Sequence, residues 1–514
     1  MVADIIRDSP FGHIVRIVTR NKLFQYPEEK DPSVAIRYYN TEKTQNMARY
    51  GQTSVPEDKQ NKEKENIDDE AAKNTPGDAS DNEATEKAEA PPHHPSSDSI
   101  TSGDTRVDMQ RQVSNVTGTP VDSERGRDLT VVDWDGPNDP ENPMNWSTGK
   151  KFFVTFQICL LTVGIYIGSA IYTAGIEGII AQFGVSQVAA TVGLTLFVAG
   201  YGLGPMIWSP MSEIPQIGRS PIYLVTLLVF VLFQLPTALA SNFGMLMAFR
   251  FLTGFFGSPV LATGGATLSD IYPPKKRAYA ISIWGMAAVC GPTLGPLVGG
   301  FAAEAKGWQW TIWELTWLSG AVWIFLFFLL PETSSNNILY RKTRRLRKLT
   351  GNKNLICEPE LVGESMTGKD IAMMVLVRPI TLNFQEPMVF LLNLYIALIY
   401  GLLYIWFESF PIVFVEGYGF SLGLEGTAFL GIMVGAILTI PFYFAYLYYY
   451  QEPKFDDEGN IQPEQRLPPA FFGAFCIPIC LFWFGWSAGH THWIMPIIGS
   501  AFFSIGAFCL FNAV

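Results

Sequence analysis

The stretch Gly285-Met-Ala-Ala-Val-Cys-Gly-Pro-Thr-Leu-Gly-Pro-Leu-Val-Gly-Gly300 places helix-weakening residues inside a long apolar segment. Gly291, Gly295 and Gly299 recur every fourth residue, which predicts a flat stripe on one helix face where a second helix can approach closely. In water the two prolines beside this stripe would end the helix, whereas in a bilayer neighbouring helices can bond the freed backbone groups. The stretch therefore predicts a kinked membrane-spanning helix with one close-packed face. An ordinary packing helix is the alternative.

The same stretch resembles the antiporter motif of the fifth span in fungal drug:proton antiporters of the major facilitator superfamily. The matching positions are Gly285, Gly291, Pro292, Gly295, Pro296, Gly299 and Gly300. From about Trp134 onward, the chain resembles the twelve-span multidrug, azole and benomyl resistance group of this superfamily. The resemblance implies an all-α, polytopic fold of two helical bundles that alternates access to a cavity between them. It also implies export of amphiphilic drugs across the plasma membrane in exchange for protons, without enzyme activity or a cofactor.

Polar residues are concentrated before Lys150, which explains why a chain with 48% apolar residues has a mean hydropathy of only +0.18. Residues 1–133 are predicted to form a cytosolic, mostly disordered tail, because their low hydrophobicity and high charge cannot offset the entropy lost on folding. Within this tail, residues 4–24 mix apolar and basic side chains, so a surface-bound amphipathic helix and a weakly ordered segment both remain open. The net charge of −11 comes largely from the tail and says little about partners.

Apolar runs long enough to cross roughly 30 Å of hydrocarbon follow one another after Lys151. We expect ten spans, near residues 152–176, 188–211, 220–240, 246–269, 279–302, 310–330, 388–415, 424–448, 468–487 and 492–514. Basic residues are concentrated in the loops after the even-numbered spans, so the positive-inside rule predicts a cytosolic amino terminus. The predicted domains are a first six-span bundle at 134–331, a cytosolic central loop at 332–387 and a partial second bundle at 388–514.

The number of spans leaves more than one function open. Because the family has six spans in each bundle, the resemblance implies that the last two spans are absent from this sequence. The chain is then a drug:proton antiporter, a carrier of polyamines or other small solutes, or a truncated remnant that transports nothing. No loop of the Gly-x-x-x-x-Gly-Lys-Ser/Thr type occurs, which disfavours ATP-driven pumping. The expected partners are small toxic compounds, protons and the lipid bilayer, with no nucleic acid and a monomeric state.

A second motif lies between spans 2 and 3. It resembles the superfamily's gate motif at Gly204, Ser212, Glu213, Gly218 and Arg219. A carboxylate such as Glu213 at a helix end, facing a basic loop residue, can form a charge-assisted latch that holds the inner gate shut. A solvated glutamate and arginine at the membrane surface are the alternative. Asp270, close to further basic residues, is interpreted as another gate or loop pair.

Two ionisable residues inside predicted spans are candidates for proton coupling. Arg250 in span 4 resembles the family's Arg-x-x-x-Gly motif; burying it in hydrocarbon costs at least ~2.5 kcal/mol, so we expect it to face the bundle interior. An arginine that extends to the outer interface is the alternative. Glu408 shares one face of span 7 with Asn393, Tyr400 and Tyr404, and this face should line the substrate cavity. Glu408 could carry protons or attract a cationic drug, or be purely structural.

Span 1 contains no acidic residue, so Gln157 and Tyr172 are its candidates for polar contacts in the cavity. No metal site is expected. Cys476 and Cys480 lie four residues apart in an apolar run without nearby histidine or carboxylate ligands, which is typical of packing residues.

Overall fold

The computed structural model describes residues 2–30, 35, 38, 121–122, 127–364, 373, 377–456 and 459–513. Within these residues, ten helices are long and apolar enough to cross a membrane, and each overlaps one predicted span. We number them spans 1 to 10: Thr148–Phe183, Gln187–Glu213, Arg219–Ala238, Phe243–Ile271, Pro274–Lys306, Gln309–Leu329, Pro387–Gly417, Leu422–Lys454, Pro468–Ser487 and Ile494–Ala513. The tail predicted to be mostly disordered, residues 1–133, lies largely outside the described residues.

In the part of the chain that the structure describes, six further α-helices lie outside the spans. They are α1 (Val2–Asp8), α2 (Pro10–Val18), α3 (Pro27–Lys30), α4 (Ser335–Thr350), α5 (Glu358–Glu364) and α6 (Arg378–Gln385). The same residues include four short strands in two two-stranded sheets, β1 (Val121–Asp122) with β2 (Arg127–Asp128), and β3 (Thr130–Val132) with β4 (Leu355–Cys357). The fold is therefore helical, as predicted.

The chain divides into two compact units, of which the first contains all ten spans. The second comprises Asp31–Val131 and Leu346–Leu355. Among its described residues, β1 and β2 pair antiparallel. The Thr130 nitrogen donates to the Asn354 carbonyl at 3.0 Å. Neither contact involves a residue of the candidate site.

Span 5 is one continuous helix through both Pro292 and Pro296. Its glycine stripe lies against span 1. A Cβ atom at Gly295 would lie 2.7 Å from the Ile171 nitrogen, and one at Gly299 would lie 2.8 Å from the Ile171 oxygen. Only hydrogen atoms fit in that space, because real Cβ atoms do not approach backbone atoms so closely. The stripe therefore sets the distance between spans 1 and 5, as small residues do where membrane helices pack closely.

The opposite side of span 5 packs against the start of span 8. A Cβ atom at Gly426 would lie 2.8 Å from the Leu297 Cα. The Gly423 nitrogen donates a hydrogen bond of 2.9 Å to Glu304 Oε2 at the end of span 5. Span 5 thus packs on one side against span 1 of its own bundle and on the other side against span 8 of the second bundle.

The second bundle is held together by aromatic rings. Phe410 of span 7 lies with its ring centroid 4.2 Å from that of Phe429 and 5.5 Å from that of Phe484. Trp406 packs edge-on against Phe484 at 4.4 Å. All four side chains are buried. Because Trp406 and Phe410 are four residues apart, they lie on one helix face, which leaves the tyrosine face of span 7 directed elsewhere.

Candidate functional site

Arg250 is completely buried in span 4. Its guanidinium carbon lies 4.4 Å from the ring centroid of Tyr172 and 4.5 Å from that of Phe197. Nε donates to the Gly193 carbonyl at 3.2 Å and Nη1 to the Gly168 carbonyl at 3.0 Å. Nη2 has no hydrogen-bond partner among the described residues. The arginine therefore faces the interior of the bundle, held between two rings, with one donor free for a ligand or a moving side chain.

A cluster of four tyrosines connects the two bundles beside this arginine. Tyr201 of span 2 and Tyr404 of span 7 share a hydrogen bond between their hydroxyl groups. Tyr166 of span 1 lies with its ring centroid 6.2 Å from that of Tyr201 and interacts through its hydroxyl with Tyr400. We call Tyr166, Tyr201, Tyr400 and Tyr404 the tyrosine cluster. It combines apolar ring faces with hydroxyls that can donate or accept, which suits amphiphilic ligands.

Two of the four residues predicted to share a face of span 7, Tyr400 and Tyr404, belong to the tyrosine cluster. Glu408 is partly buried one turn further along, and its Oε1 has no hydrogen-bond partner among the described residues. Asn393 lies apart from them, exposed, and donates to the Asn383 side chain at 2.7 Å. The length of the helix explains the difference, since residues on one face can still lie two or more turns apart.

The two cavity candidates of span 1 occupy different surroundings. Tyr172 is buried, supports the guanidinium of Arg250 and donates its hydroxyl to the Ala190 carbonyl at 2.9 Å. Gln157 is also fully buried, and neither its amide nitrogen nor its oxygen has a hydrogen-bond partner among the described residues. A buried, unpaired amide is costly, so Gln157 has unused capacity to bind a polar group.

The gate motif lies at the other end of the bundle. The Arg219 guanidinium forms an ion pair of 3.2 Å with Asp270 of span 4, and the Arg219 backbone nitrogen donates to Glu332 at 3.1 Å. Glu213, the carboxylate of the predicted latch, is exposed. The structure thus pairs Arg219 with Asp270, whereas the sequence indicated Lys276 or Arg277 as the basic partner of Asp270. The gate role of this pair stays a prediction.

Two glycines of the motif allow this close packing. Gly218 has φ +81°, and a Cβ atom there would lie 2.5 Å from the Glu332 carboxylate. Gly204 packs against Ser258 where spans 2 and 4 meet. Ser212 donates its hydroxyl to the Ser209 carbonyl at 2.6 Å within its own helix.

Glu332, just beyond span 6, has a larger part in the gate than the sequence indicated. Its Oε1 accepts from the backbone nitrogens of Arg219, Thr333 and Ser334, all at 3.0 to 3.1 Å. One buried carboxylate therefore ties the start of span 3 to the end of span 6. Local sequence patterns do not show this contact, because Arg219 and Glu332 are 113 positions apart in the chain.

Glu425, which no sequence motif indicated, is buried at the start of span 8. It forms no ion pair with any described residue. The neighbouring Gly426 packs against the backbone of Pro296 in span 5, so this acid lies beside the contact between the bundles. An acidic residue at the start of an apolar span could have indicated a functional position. The helix dipole also favours an acid in the first turn of a helix, so the residue alone does not distinguish the two cases.

A cavity of about 330 Å³ lies between the amino-terminal helices and the start of span 1. Four carboxylates and four permanent bases are among the residues that line it: Asp4, Asp8, Glu141, Glu332, Arg7, Lys150, Arg341 and Arg345. Burial raises the pKa of Glu141, although Arg345 lies 3.6 Å from its carboxylate. The balanced charges favour no ion of one sign. Across the described residues, no group of three His, Cys, Asp or Glu side chains is placed to hold a metal ion.

The ten apolar helices, with a polar cluster buried between two bundles, define the class as a multi-pass helical membrane protein. Residues 158–514 match the family described as Major Facilitator Superfamily. The chain is 47% identical to Transporter mfs1 of Schizosaccharomyces pombe, with 75% of this chain and 73% of that protein covered. It therefore belongs to the major facilitator superfamily and is a membrane transporter of small molecules.

Two further relatives carry names of drug resistance. The chain is 42% identical to the Cycloheximide resistance protein of Candida maltosa, with 77% of this chain and 72% of that protein covered. It is 43% identical to Fluconazole resistance protein 1 of Saccharomyces cerevisiae, with 74% and 69% covered. The chain is also similar to a solved proton:xylose symporter, XylE, at a TM-score of 0.49 and 15% identity, with 71% and 82% covered.

Proposed function

We propose that the chain is a proton-coupled efflux transporter of the plasma membrane that exports amphiphilic toxic compounds. In this proposal its amino terminus is cytosolic and it acts as a monomer. The observation that carries the proposal is the tyrosine cluster beside Arg250, because it joins spans of both bundles at a buried polar position. Resistance to two chemically different drugs, in the names of two relatives, supports a broad substrate range.

The tyrosine cluster would bind an amphiphilic compound through its ring faces and hydroxyls. The hydrogen bond between Tyr201 and Tyr404 crosses from one bundle to the other, so a ligand that enters between them must replace it. Arg250 Nη2, which is free in this structure, could donate a hydrogen bond to a carbonyl or hydroxyl oxygen of the ligand. Opening and closing this contact would couple ligand binding to movement of the bundles.

Protons would be carried by a carboxylate in the second bundle. Glu408 has an unpaired buried oxygen one turn beyond Tyr404, and Glu425 is buried beside span 5. A carboxylate in an apolar environment gains and loses a proton at little change in shape, which suits a carrier driven by a proton gradient. Arg250 would respond to the charge change through Tyr404, since the arginine and this tyrosine interact electrostatically.

The direct test is drug flux in vesicles that contain the purified chain. An imposed pH gradient, acidic on the side to which drug is exported, should drive cycloheximide or fluconazole against its concentration gradient. Tyr404→Phe, which keeps the ring and removes the hydroxyl, should weaken export at unchanged protein content. A rate of drug export that does not depend on the pH gradient would contradict proton coupling. Transport of spermidine in place of both drugs would indicate a polyamine carrier.

A further inference from the structure

The helix α2 has two faces that differ in burial. Gly12 and Arg16 are buried against the rest of the chain. The apolar side chains of Ile14, Ile17 and Val18 are exposed, with 76% of the Ile17 and Val18 surfaces accessible. These residues lie outside the ten spans, so the hydrocarbon of a spanning segment does not account for their exposure. A helix with one docked face and one exposed apolar face is typical of a segment that lies in a membrane interface.

The turn after α2 adds exposed basic groups to this edge. Arg20, Asn21 and Phe24 have φ angles of 52°, 62° and 55°, in the left-handed region, which asparagine tolerates but arginine and phenylalanine rarely adopt. Arg20, Lys22 and Leu23 are all exposed in this turn. Strained backbone persists only where the surrounding structure holds it in place.

The surrounding structure here is a buried arginine. Arg16 donates to the Phe24 carbonyl at 2.5 Å and forms a two-point ion pair with Glu29 at 2.9 and 2.7 Å. Its guanidinium carbon also lies 4.6 Å from the ring centroid of Tyr26. The turn is therefore built by specific contacts, and it holds Arg20 and Lys22 at the same edge as the exposed face of α2.

The segment is docked at the end of span 6. The Phe11 ring centroid lies 4.9 Å from that of Phe328 and 6.4 Å from that of Phe327. The Glu332 nitrogen donates to the Asp8 carbonyl at 3.3 Å. Phe328 is itself 42% exposed at the end of a helix that is long and apolar enough to cross a membrane. The apolar edge of α2 thus continues the exposed apolar surface of span 6.

The charges of the segment are divided between its two sides. On the docked side its acids are paired: Asp8 with Arg7 at 2.8 Å, Glu29 with Arg16, and Glu28 with Arg345 of α4. The exposed edge instead presents Arg20 and Lys22. An apolar strip flanked by basic groups is complementary to a bilayer surface that contains anionic phospholipids.

We propose that residues 10–24 are a membrane-surface contact, in which Ile14, Ile17, Val18 and Leu23 enter the headgroup region while Arg20 and Lys22 bind anionic lipid phosphates. The leaflet is the one at which span 1 begins, and it is the cytosolic leaflet if the orientation proposed above holds. The amino-terminal residues 2–30, which include this contact, also bind the central-loop helix α4: Glu28 pairs with Arg345, and His13 accepts from Arg341 at 2.6 Å.

The test uses the full chain in nanodiscs, with a photo-crosslinking amino acid in place of Ile17 and, separately, of the exposed Arg344 on α4. Discs contain phosphatidylcholine alone or phosphatidylcholine with phosphatidylserine. We expect lipid adducts at position 17 and few at position 344. Phosphatidylserine should raise the yield at position 17 by about fivefold or more, because each basic group near an anionic surface adds to the attraction.

Charge reversal separates the lipid charge from general apolar contact. Arg20→Glu with Lys22→Glu should remove the increase caused by phosphatidylserine at position 17. Arg344→Glu with Lys348→Glu makes the same charge change on α4 and should leave it intact. Equal adduct yields at positions 17 and 344, an increase that survives the first reversal, or adducts to a second copy of the chain would each overturn the proposal. No transport is measured, so this outcome is independent of the proposed efflux function.

Discussion

Both the backbone conformation and the packing at position 218 require a glycine. Its φ of +81° with ψ near 180° is a region that glycine alone occupies comfortably, and the Glu332 carboxylate fills the space beside its Cα. Gly218→Ala should lower the free energy of unfolding by about 2 kcal/mol or more, from strain and from displacement of Glu332. Thermal unfolding in detergent measures the change.

Gly184→Ala is the matched control, because Gly184 has φ +64° with nothing within 4 Å of a Cβ atom. It carries strain without displacement, so its effect should be the smaller. Equal melting temperatures for the two variants would mean that Glu332 moves at no cost, and that its three backbone hydrogen bonds do not hold the gate.

Glu408 is the residue at which proton coupling can be tested most directly. Glu408→Gln keeps the shape of the side chain and cannot release a proton. We expect drug binding to remain largely intact and drug flux to fall to the level found without a pH gradient. Vesicle flux at two gradients measures this. If drug flux by the variant depends on the pH gradient as it does in the parent, Glu408 is structural or a substrate contact. Arg250 and its neighbours would then be the next candidates for proton coupling.

At the scale of elements, the packing of span 5 against span 1 depends on the absence of side chains. Gly295→Leu should reduce efflux by about tenfold, since overpacking a close contact costs about 1–3 kcal/mol. Much of the protein should still reach the membrane. The expected cause is separation of the two helices, since the substitution leaves the segment apolar. Flux per molecule at the cell surface is the measurement.

Gly401→Leu on span 7 is the control for this substitution, because nothing lies within 4 Å of a Cβ atom at Gly401. It adds the same side chain to a spanning helix without a close neighbour, so efflux should change little. Normal export by the Gly295 variant at normal abundance would refute the close-packing account of the glycine stripe.

The docking of α2 should depend on pH through His13. Burial and the nearby Arg341, with smaller effects of Arg16 and Arg345, lower the pKa of His13 to about 4 against the opposing influence of Asp8. An undocked His13 titrates near 6.5 and therefore binds more protons than the docked one as pH falls below that value. The docked state should then lose stability between about pH 6.5 and 4, and be most stable above this window.

Hydrogen exchange of residues 2–30, corrected for the intrinsic effect of pH, measures this loss. His13→Gln should remove the pH dependence, since the amide oxygen can still accept from Arg341 and does not titrate. The exposed His490, replaced in the same way, should leave the dependence unchanged. Protection that is constant from pH 7 to 5 in the parent chain would contradict the assignment.

At the scale of the whole molecule, the contact between spans 5 and 8 joins the bundles, and Glu425 is buried beside it. A buried carboxylate without an ion pair is costly, so Glu425→Gln should keep or raise the melting temperature. Transport should nevertheless fall, because an acid retained at such a cost is typical of functional sites. A variant that is less stable and exports normally would show that Glu425 is a structural acid whose contacts the amide cannot reproduce.

The positions of the spans were predictable, since length and apolarity are local properties and a bilayer imposes both on each helix separately. The glycine stripe also predicted a close helix contact, because glycines weaken a helix that lacks such a contact. Arg250 predicted a buried position in the protein, because a charged side chain that faces lipid is costly. Tyr400 and Tyr404, whose spacing is one turn, lie together in the tyrosine cluster, while the substrate cavity predicted for their face of span 7 stays a prediction. For Asn393 the same periodicity gave the direction of the side chain without its depth along the helix.

What the sequence by itself determined was therefore the kind of each element and the residues that could not face lipid. Only the tertiary structure decided their partners: span 1 for the glycine stripe, Asp270 and Glu332 for Arg219, and span 2 for Tyr404. These contacts join residues far apart in the chain, such as Arg219 and Glu332, which are separated by 113 positions. Hydrophobic periodicity records which face of a helix is buried, whereas the neighbour that buries it depends on how all the helices fill space together.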